Sequence, residues 1–209
     1  MKIIRYRDAA GQTGYAWPQP KGPARKITGD IFGKYQITDD LVEVQEVLAP
    51  FVPTAIFCIG LNYRRHAEES GAPIPAQPIL FMKGPAAVQH PGGPIVLPTQ
   101  LKSTEVDYEA ELAVVIGQTC KNVSRKHALD YVFGYTAAND VSARDWQMKW
   151  GGGQWCRGKT FDTFAPLGPA LVTAGEIPNP NALRIRTILN GEVMQDSNTS
   201  DMIFDVPTI

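Results

Sequence analysis

Apolar residues along this chain come in short stretches that alternate with polar ones, and turn-forming residues soon interrupt each stretch. Lys2–Arg7 alternates with a period of two and predicts a strand. Pro18, Pro20, Gly22 and Pro23 break the segment after it. In Asp39–Leu48 the apolar positions Leu41, Val44, Val47 and Leu48 fit a short helix as well as a strand. Pro50 and Pro53 mark a boundary, which divides the chain into a small N-terminal domain (1–53) and a larger unit (54–209). Beyond it, Ala55–Ile59 reads as a buried strand, followed by a turn at Gly60 and a short polar helix near Tyr63–Ser70. A stiff loop with Pro73, Pro75 and Pro78 leads into a strand at Ile79–Lys83. Tyr108–Gly117 is the clearest strand of all, and Phe133–Asn139 is another. Ser124 is placed to cap a helix running to Tyr131, and Ser142–Trp150 reads as a second helix. Leu183–Leu189 and Glu192–Gln195, joined by Asn190-Gly191, predict a hairpin with a primed turn. The pattern as a whole predicts a sheet-dominated α+β fold without internal repeats.

Composition narrows the class of partner. The 209 residues carry 20 Lys+Arg against 21 Asp+Glu, so no basic excess exists to release counterions from a nucleic acid. No apolar run approaches the ~20 residues of a membrane-spanning helix. The start, Met1-Lys2-Ile3-Ile4-Arg5, is broken by charge too soon for a signal sequence, which makes the cytoplasm the expected location. Cys58, Cys120 and Cys156 are odd in number and far apart, a pattern of buried, reduced thiols and not of a disulfide framework.

Three constellations point to chemistry. Along a strand, alternate side chains share a face, so Glu109 and Glu111 point the same way, ~6.6 Å apart along the backbone. Their face continues with Ala113 and Val115 and turns apolar within one step. Two like charges entering a core repel, or one holds a proton, unless a hard cation such as magnesium or calcium sits between them. The alternative is a strand end in solvent with both carboxylates hydrated. Asp140 adds a third carboxylate where a strand gives way to a helix, a position that also suits an N-cap, for which Ser142 competes. Arg144 and Gln147, three apart on one helical face, suit the carboxylate and carbonyl of a ligand, or are plain surface residues. His66 and Glu69 share the same spacing, which lets a carboxylate orient an imidazole as a general base, although surface neighbours share it too.

Gly153-Gln154-Trp155-Cys156-Arg157-Gly158-Lys159-Thr160 matches the phosphate-loop pattern letter by letter. That loop works only between a buried strand and a helix. Here polar Gln147–Trp150 precedes it, and Pro166 and Pro169 come soon after, so nucleotide hydrolysis is rejected and kept only as a checkable rival. Lys159 remains as a positive charge on a glycine-flanked segment able to approach a ligand closely.

Together these segments resemble the fumarylacetoacetate hydrolase superfamily, with its domain-containing protein 2 branch the nearest in look. The resemblance runs from about Thr54 to the end. It rests on Gly60-Leu61-Asn62-Tyr63 with His66 and Glu69, on Ile79–Lys83, on Tyr108–Leu112, on Asp140–Gln147 and on Gly158–Pro169. It implies a mixed β-roll domain, here preceded by a small β-rich N-terminal appendage, that forms a homodimer. It also implies magnesium, with manganese or calcium as alternatives, held by Glu109, Glu111 and Asp140. A mobile lid would carry His66 and Glu69, Lys159 would be the active-site lysine, and Arg144, Gln147 and Lys83 would bind substrate. Members of the family normally continue past the hairpin with further strands, whereas this chain stops at Ile209.

The resemblance implies a small-molecule 2-oxo acid or dicarboxylate as substrate. A metal would stabilise enolate charge, and His66, oriented by Glu69, would activate the water that hydrolyses an acylpyruvate C–C bond. Decarboxylation or tautomerisation of an oxaloacetate-like or hydroxymuconate-like acid would pass through the same enolate and needs no attacking water. Hydrolysis is the leading expectation and these two are its alternatives. A further alternative is a catalytically dead, shortened family member that acts as a binding or dimer partner.

Overall fold

The computed structural model describes residues 1–209. Strands β1 (Lys2–Arg7), β2 (Thr13–Trp17), β3 (Ala24–Gly29), β4 (Tyr35–Val42) and β5 (Glu46–Leu48) come first. The ambiguous Asp39–Leu48 stretch is therefore extended: β4 pairs with β3 and β5 with β1, and those ladders satisfy its backbone. Next come β6 (Ile56–Gly60), helix α1 (Arg64–Glu69), β7 (Ile79–Lys83), β8 (Val88–Gln89), β9 (Val106–Asp107) and β10 (Ala110–Ile116). The order continues with β11 (Val132–Asn139), β12 (Ser142–Ala143), helix α2 (Cys156–Lys159), β13 (Ala165–Thr173) and the hairpin β14 (Arg184–Leu189) and β15 (Glu192–Asn198).

The main sheet runs β10-β11-β13-β1-β2-β3-β4, with β5 paired to β1 and β8 to β13. Its seam is the antiparallel pairing of β1 with β13, which joins the N-terminal strands to those from the second half of the chain. The core crosses that seam: Ile3, Ile27 and Ile31 pack with Val115 and Leu171. Burying side chains of that size contributes about 1.5–3 kcal/mol each, so the N-terminal strands and the rest stabilise one another.

Two helical expectations change. Ser142–Trp150 opens as the short strand β12, paired to β9, and the chain turns helical only at Arg144 before widening into a π-helix over Trp146–Trp150. The β12–β9 pairing holds Ser142 and Ala143 extended and so delays the helix. Its N-terminal cap is Asp145, which accepts from Trp146 N at 2.9 Å, and neither Asp140 nor Ser142 serves. Arg125–Tyr131 forms a 3-10 helix, and Ser124 makes no side-chain capping bond to it. The hairpin forms as expected, with Asn190 at φ 52° and Gly191 at φ 88°, the left-handed pair that a primed turn requires. No helix is long and apolar enough to cross a membrane.

Candidate active site

Antiparallel pairing of β10 with β11 places the carboxylates. Ala110 lies opposite Asn139, so Glu109 and Asp140, one step beyond, face each other, with Asp140 N donating to Glu109 O at 2.9 Å. Opposed like charges are destabilising. The structure resolves this one with a cation from another element: the Lys159 ammonium donates to Glu109 Oε2 at 2.9 Å, Asp140 Oδ2 at 2.8 Å and Ser142 Oγ at 2.7 Å. All three of its protons are thereby matched, and Lys159 is only 2% exposed. It reaches this place because α2 packs tightly on the π-helix. A Cβ on Gly158 would stand 2.5 Å from Ala143 O and 2.6 Å from Gln147 N.

Asp140 is held from its other side by a second lysine. Lys83 Nζ lies 2.6 Å from Asp140 Oδ1, donates to Val141 O at 3.0 Å and also donates to the carbonyl of Lys159. Lys83, expected to bind substrate, is 2% exposed and spends its protons inside the protein, where β7 packs against α2. Burial lowers its pKa from the ordinary lysine value, against the opposing pull of Asp140.

Glu109 is shared with Arg144, whose Nη1 donates to Glu109 Oε1 at 2.5 Å and to Gln147 Oε1 at 3.0 Å. Its Nε and Nη2 both reach Asp107 Oδ2, at 3.1 and 2.8 Å. Arg144 and Gln147 therefore do share a face, next to the lysine cluster. Glu111, next on the same strand face, has no cationic partner. Burial, then the charges of Glu109 and Asp140, push its carboxyl up to about 8. The repulsion expected from the sequence thus falls on Glu111.

No three His, Cys, Asp or Glu side chains converge tightly enough to hold an ion in this arrangement, because a lysine ammonium stands between two of the three expected ligands. The donor set nonetheless suits a hard divalent cation. It consists of carboxylates only, Glu111 lacks a counter-charge, and the buried Asp140 Oδ1, for all its nearness to Lys83, makes no hydrogen bond of acceptable geometry.

His66 and Glu69 sit on α1 with both side chains exposed, and no hydrogen bond or ion pair joins them. The i,i+3 spacing brought them onto one short helix but did not make an oriented dyad. The phosphate-loop match is not a phosphate loop: its lysine is buried against carboxylates, and its threonine hydroxyl accepts from Gly84 N at 2.6 Å. The thiols also differ from expectation, since Cys120 is exposed and Cys58 and Cys156 are half-buried, although all three are free. Burial, then the Asp140 charge, pushes the Cys58 thiol up to about 12, so it stays protonated near neutrality. Sequence reasoning missed Ser142 and Asp107 as partners of the cluster. The short β12–β9 pairing that brings them in leaves no periodic signal.

Residues 55–209 match the family model described as "Fumarylacetoacetate (FAA) hydrolase C-terminal". The chain belongs to the fumarylacetoacetate hydrolase family. Within the family, its curated relatives include members of the domain-containing protein 2 branch. One is the mitochondrial oxaloacetate tautomerase of Xenopus laevis, 53% identical over 159 residues, which cover 76% of this chain and 49% of that protein. The mitochondrial oxaloacetate tautomerase A of Homo sapiens is 49% identical over 158 residues, which cover 75% of this chain and 50% of that one. The chain thus spans about half the length of these relatives. Among solved structures, the 5-carboxymethyl-2-hydroxymuconate delta-isomerase of Mycobacterium smegmatis superposes with a TM-score of 0.85 at 34% identity, covering 100% of this chain and 80% of its own. The 2-hydroxyhepta-2,4-diene-1,7-dioate isomerase of Mycobacterium marinum gives 0.83 at 37% identity, covering 100% and 79%.

Proposed function

We propose that the chain catalyses keto–enol tautomerisation of a 2-oxo dicarboxylate of the oxaloacetate type. The observation that carries this reading is the buried Lys159 ammonium, held among carboxylates beside Arg144 and Gln147. The names of the tautomerase and isomerase relatives support it. In the reaction a proton leaves C3, its electron pair forms the C2–C3 double bond, and the carbonyl pair moves onto O2. Lys159, its three protons already spent on Glu109, Asp140 and Ser142, offers that oxygen no hydrogen bond and acts through its fixed positive charge, at little cost in reorganisation during reaction. Arg144 and Gln147 orient a substrate carboxylate and carbonyl. His66 carries the proton between C3 and solvent when α1 lies over the cluster. Glu109, Glu111 and Asp140 would hold a divalent cation, whose positive charge would lower the cost of enolate formation.

C–C hydrolysis, the leading expectation from the sequence, asks in addition for a water-activating base oriented by a carboxylate. The His66–Glu69 hydrogen bond that would provide it is not formed. Tautomerisation asks only for a proton carrier. The test monitors the ultraviolet absorbance of enol oxaloacetate in the presence of Mg²⁺, with pyruvate and carbon dioxide assayed separately. Faster enol–keto exchange without either product is expected, and Lys159→Met should lose about a hundredfold of the rate. Unaccelerated exchange together with acetate and pyruvate formed from acetylpyruvate would overturn the reading in favour of hydrolysis.

A further inference from the structure

The helix that carries His66 does not hold itself in place. It is six residues long, its N-terminal residue Tyr63 offers no side-chain cap, and only Ala67 is buried. Isolated helices of this length are unstable in water. A segment from the far side of the chain supplies what it lacks. Asn62, buried just before the helix, donates from Nδ2 to Phe204 O at 3.0 Å and accepts at Oδ1 from Phe204 N at 2.8 Å. Ile203 N donates to Asn62 O at 2.8 Å, and Tyr63 bridges Met202 in antiparallel fashion. Asp201 Oδ2 accepts from Arg65 N at 3.1 Å, and so meets one of the free N–H groups of the helix from outside it.

This strap is itself anchored. Val206 packs into the core with Val132 and Tyr135, and Val206 N donates to Asn181 Oδ1 at 3.1 Å. Arg125 donates to Asp205 Oδ1 at 2.6 Å. On its other side the 60–65 segment leans on the active-site loop. A Cβ on Gly60 would collide with the ring of Trp155, the residue immediately before α2 and Lys159. Leu61 takes a left-handed φ of 50°, a conformation that persists in a non-glycine residue only where its surroundings impose it. The Tyr63 phenol is half-buried and feels the charges of Glu111 and Asp201, which places the segment between the carboxylate cluster and the strap.

We propose that Asn62 is a positioning residue for His66: by locking residues 61–65 onto residues 201–206, it sets where α1 holds the imidazole relative to the Lys159 cluster. The proposal rests on the role given to His66 under the tautomerase reading. It assigns the strap a part in the reaction through the placement of α1.

The experiment pairs amide hydrogen exchange with kinetics on the full chain. Asn62→Ala is expected to speed exchange over residues 61–70 by about tenfold or more while β11 stays protected. It should lower kcat by tenfold to about a hundredfold, the scale of loss from a small misplacement, and leave KM nearly unchanged. Asn62→Asp keeps the acceptor for Phe204 N and should lose less. In a His66→Ala background the Asn62→Ala loss should vanish, because there is no imidazole left to misplace. Asp201→Ala, a milder change on the strap, should show the same local exchange and carries the test if Asn62→Ala does not fold. Unchanged exchange at 61–70, or a kcat loss that persists in full without His66, would overturn the proposal. If His66→Ala alone keeps full activity, the role of His66 falls and Asn62 positions nothing catalytic.

Discussion

At the scale of single residues, the site is organised around cations that the chain itself supplies. Lys159 and Lys83 hold the two oxygens of Asp140, while Arg144 and Lys159 hold the two of Glu109. Removing one partner of a buried pair costs more than the pair contributes, because the charge left behind stays desolvated. Lys83→Met is therefore expected to destabilise the protein by about 3 kcal/mol, since it strips Asp140 of an ion-pair partner and the carbonyls of Val141 and Lys159 of their shared donor. Urea titration measures this, and a loss below about 1 kcal/mol would mean that water replaces the lysine without penalty. The carboxylate residues were legible in the sequence because strand alternation has a fixed period. Lys83 and Lys159 were singled out as well, but not their burial among the carboxylates, since nothing in Ile79–Lys83 or Arg157–Thr160 says which side chain turns inward.

Elements decide how close those residues come. The four-residue α2 lies against the π-helix at Gly158, where backbone atoms leave no room for a side chain. Gly158→Ala should push α2 outward and carry Lys159 away from Glu109 and Asp140. A loss of about 2 kcal/mol in stability, the scale of an overpacked core site, is expected together with lower kcat. Thermal melts and steady-state rates on one preparation test both, and a stable, fully active variant would show that α2 shifts without moving its lysine. Most strands were legible in the sequence, since short alternating runs bounded by Pro and Gly have few other solutions. Ser142–Trp150 was not, because pairing with Val106–Asp107 overrides helical spacing, and that pairing spans residues far apart in the chain.

For the whole molecule, the Glu111 carboxyl, which burial and its acidic neighbours push up to about 8, bears on metal binding, because a cation would favour its ionised form. A ligand that binds only the folded state stabilises it by about 2.7 kcal/mol when present at a hundred times its Kd. For a chain of this length that raises the melting temperature by several degrees. Mg²⁺ or Mn²⁺ is expected to produce such a shift, chelator to reverse it, and Glu111→Gln to abolish it. An equal shift in the variant would remove Glu111 from the ligand set.

The sequence by itself determined the family, the sheet-rich character, the carboxylates and the primed hairpin. Each of these is written in local spacing or in motifs that stand together. Only the tertiary structure decided that Lys83 is buried against Asp140, that Lys159 lies between Glu109 and Asp140, and that residues 201–206 hold the helix of His66. These contacts join residues from 19 to 142 positions apart. Their energies depend on burial and on which charges meet, and neither is set until the sheet has closed and the chain has returned to cover it.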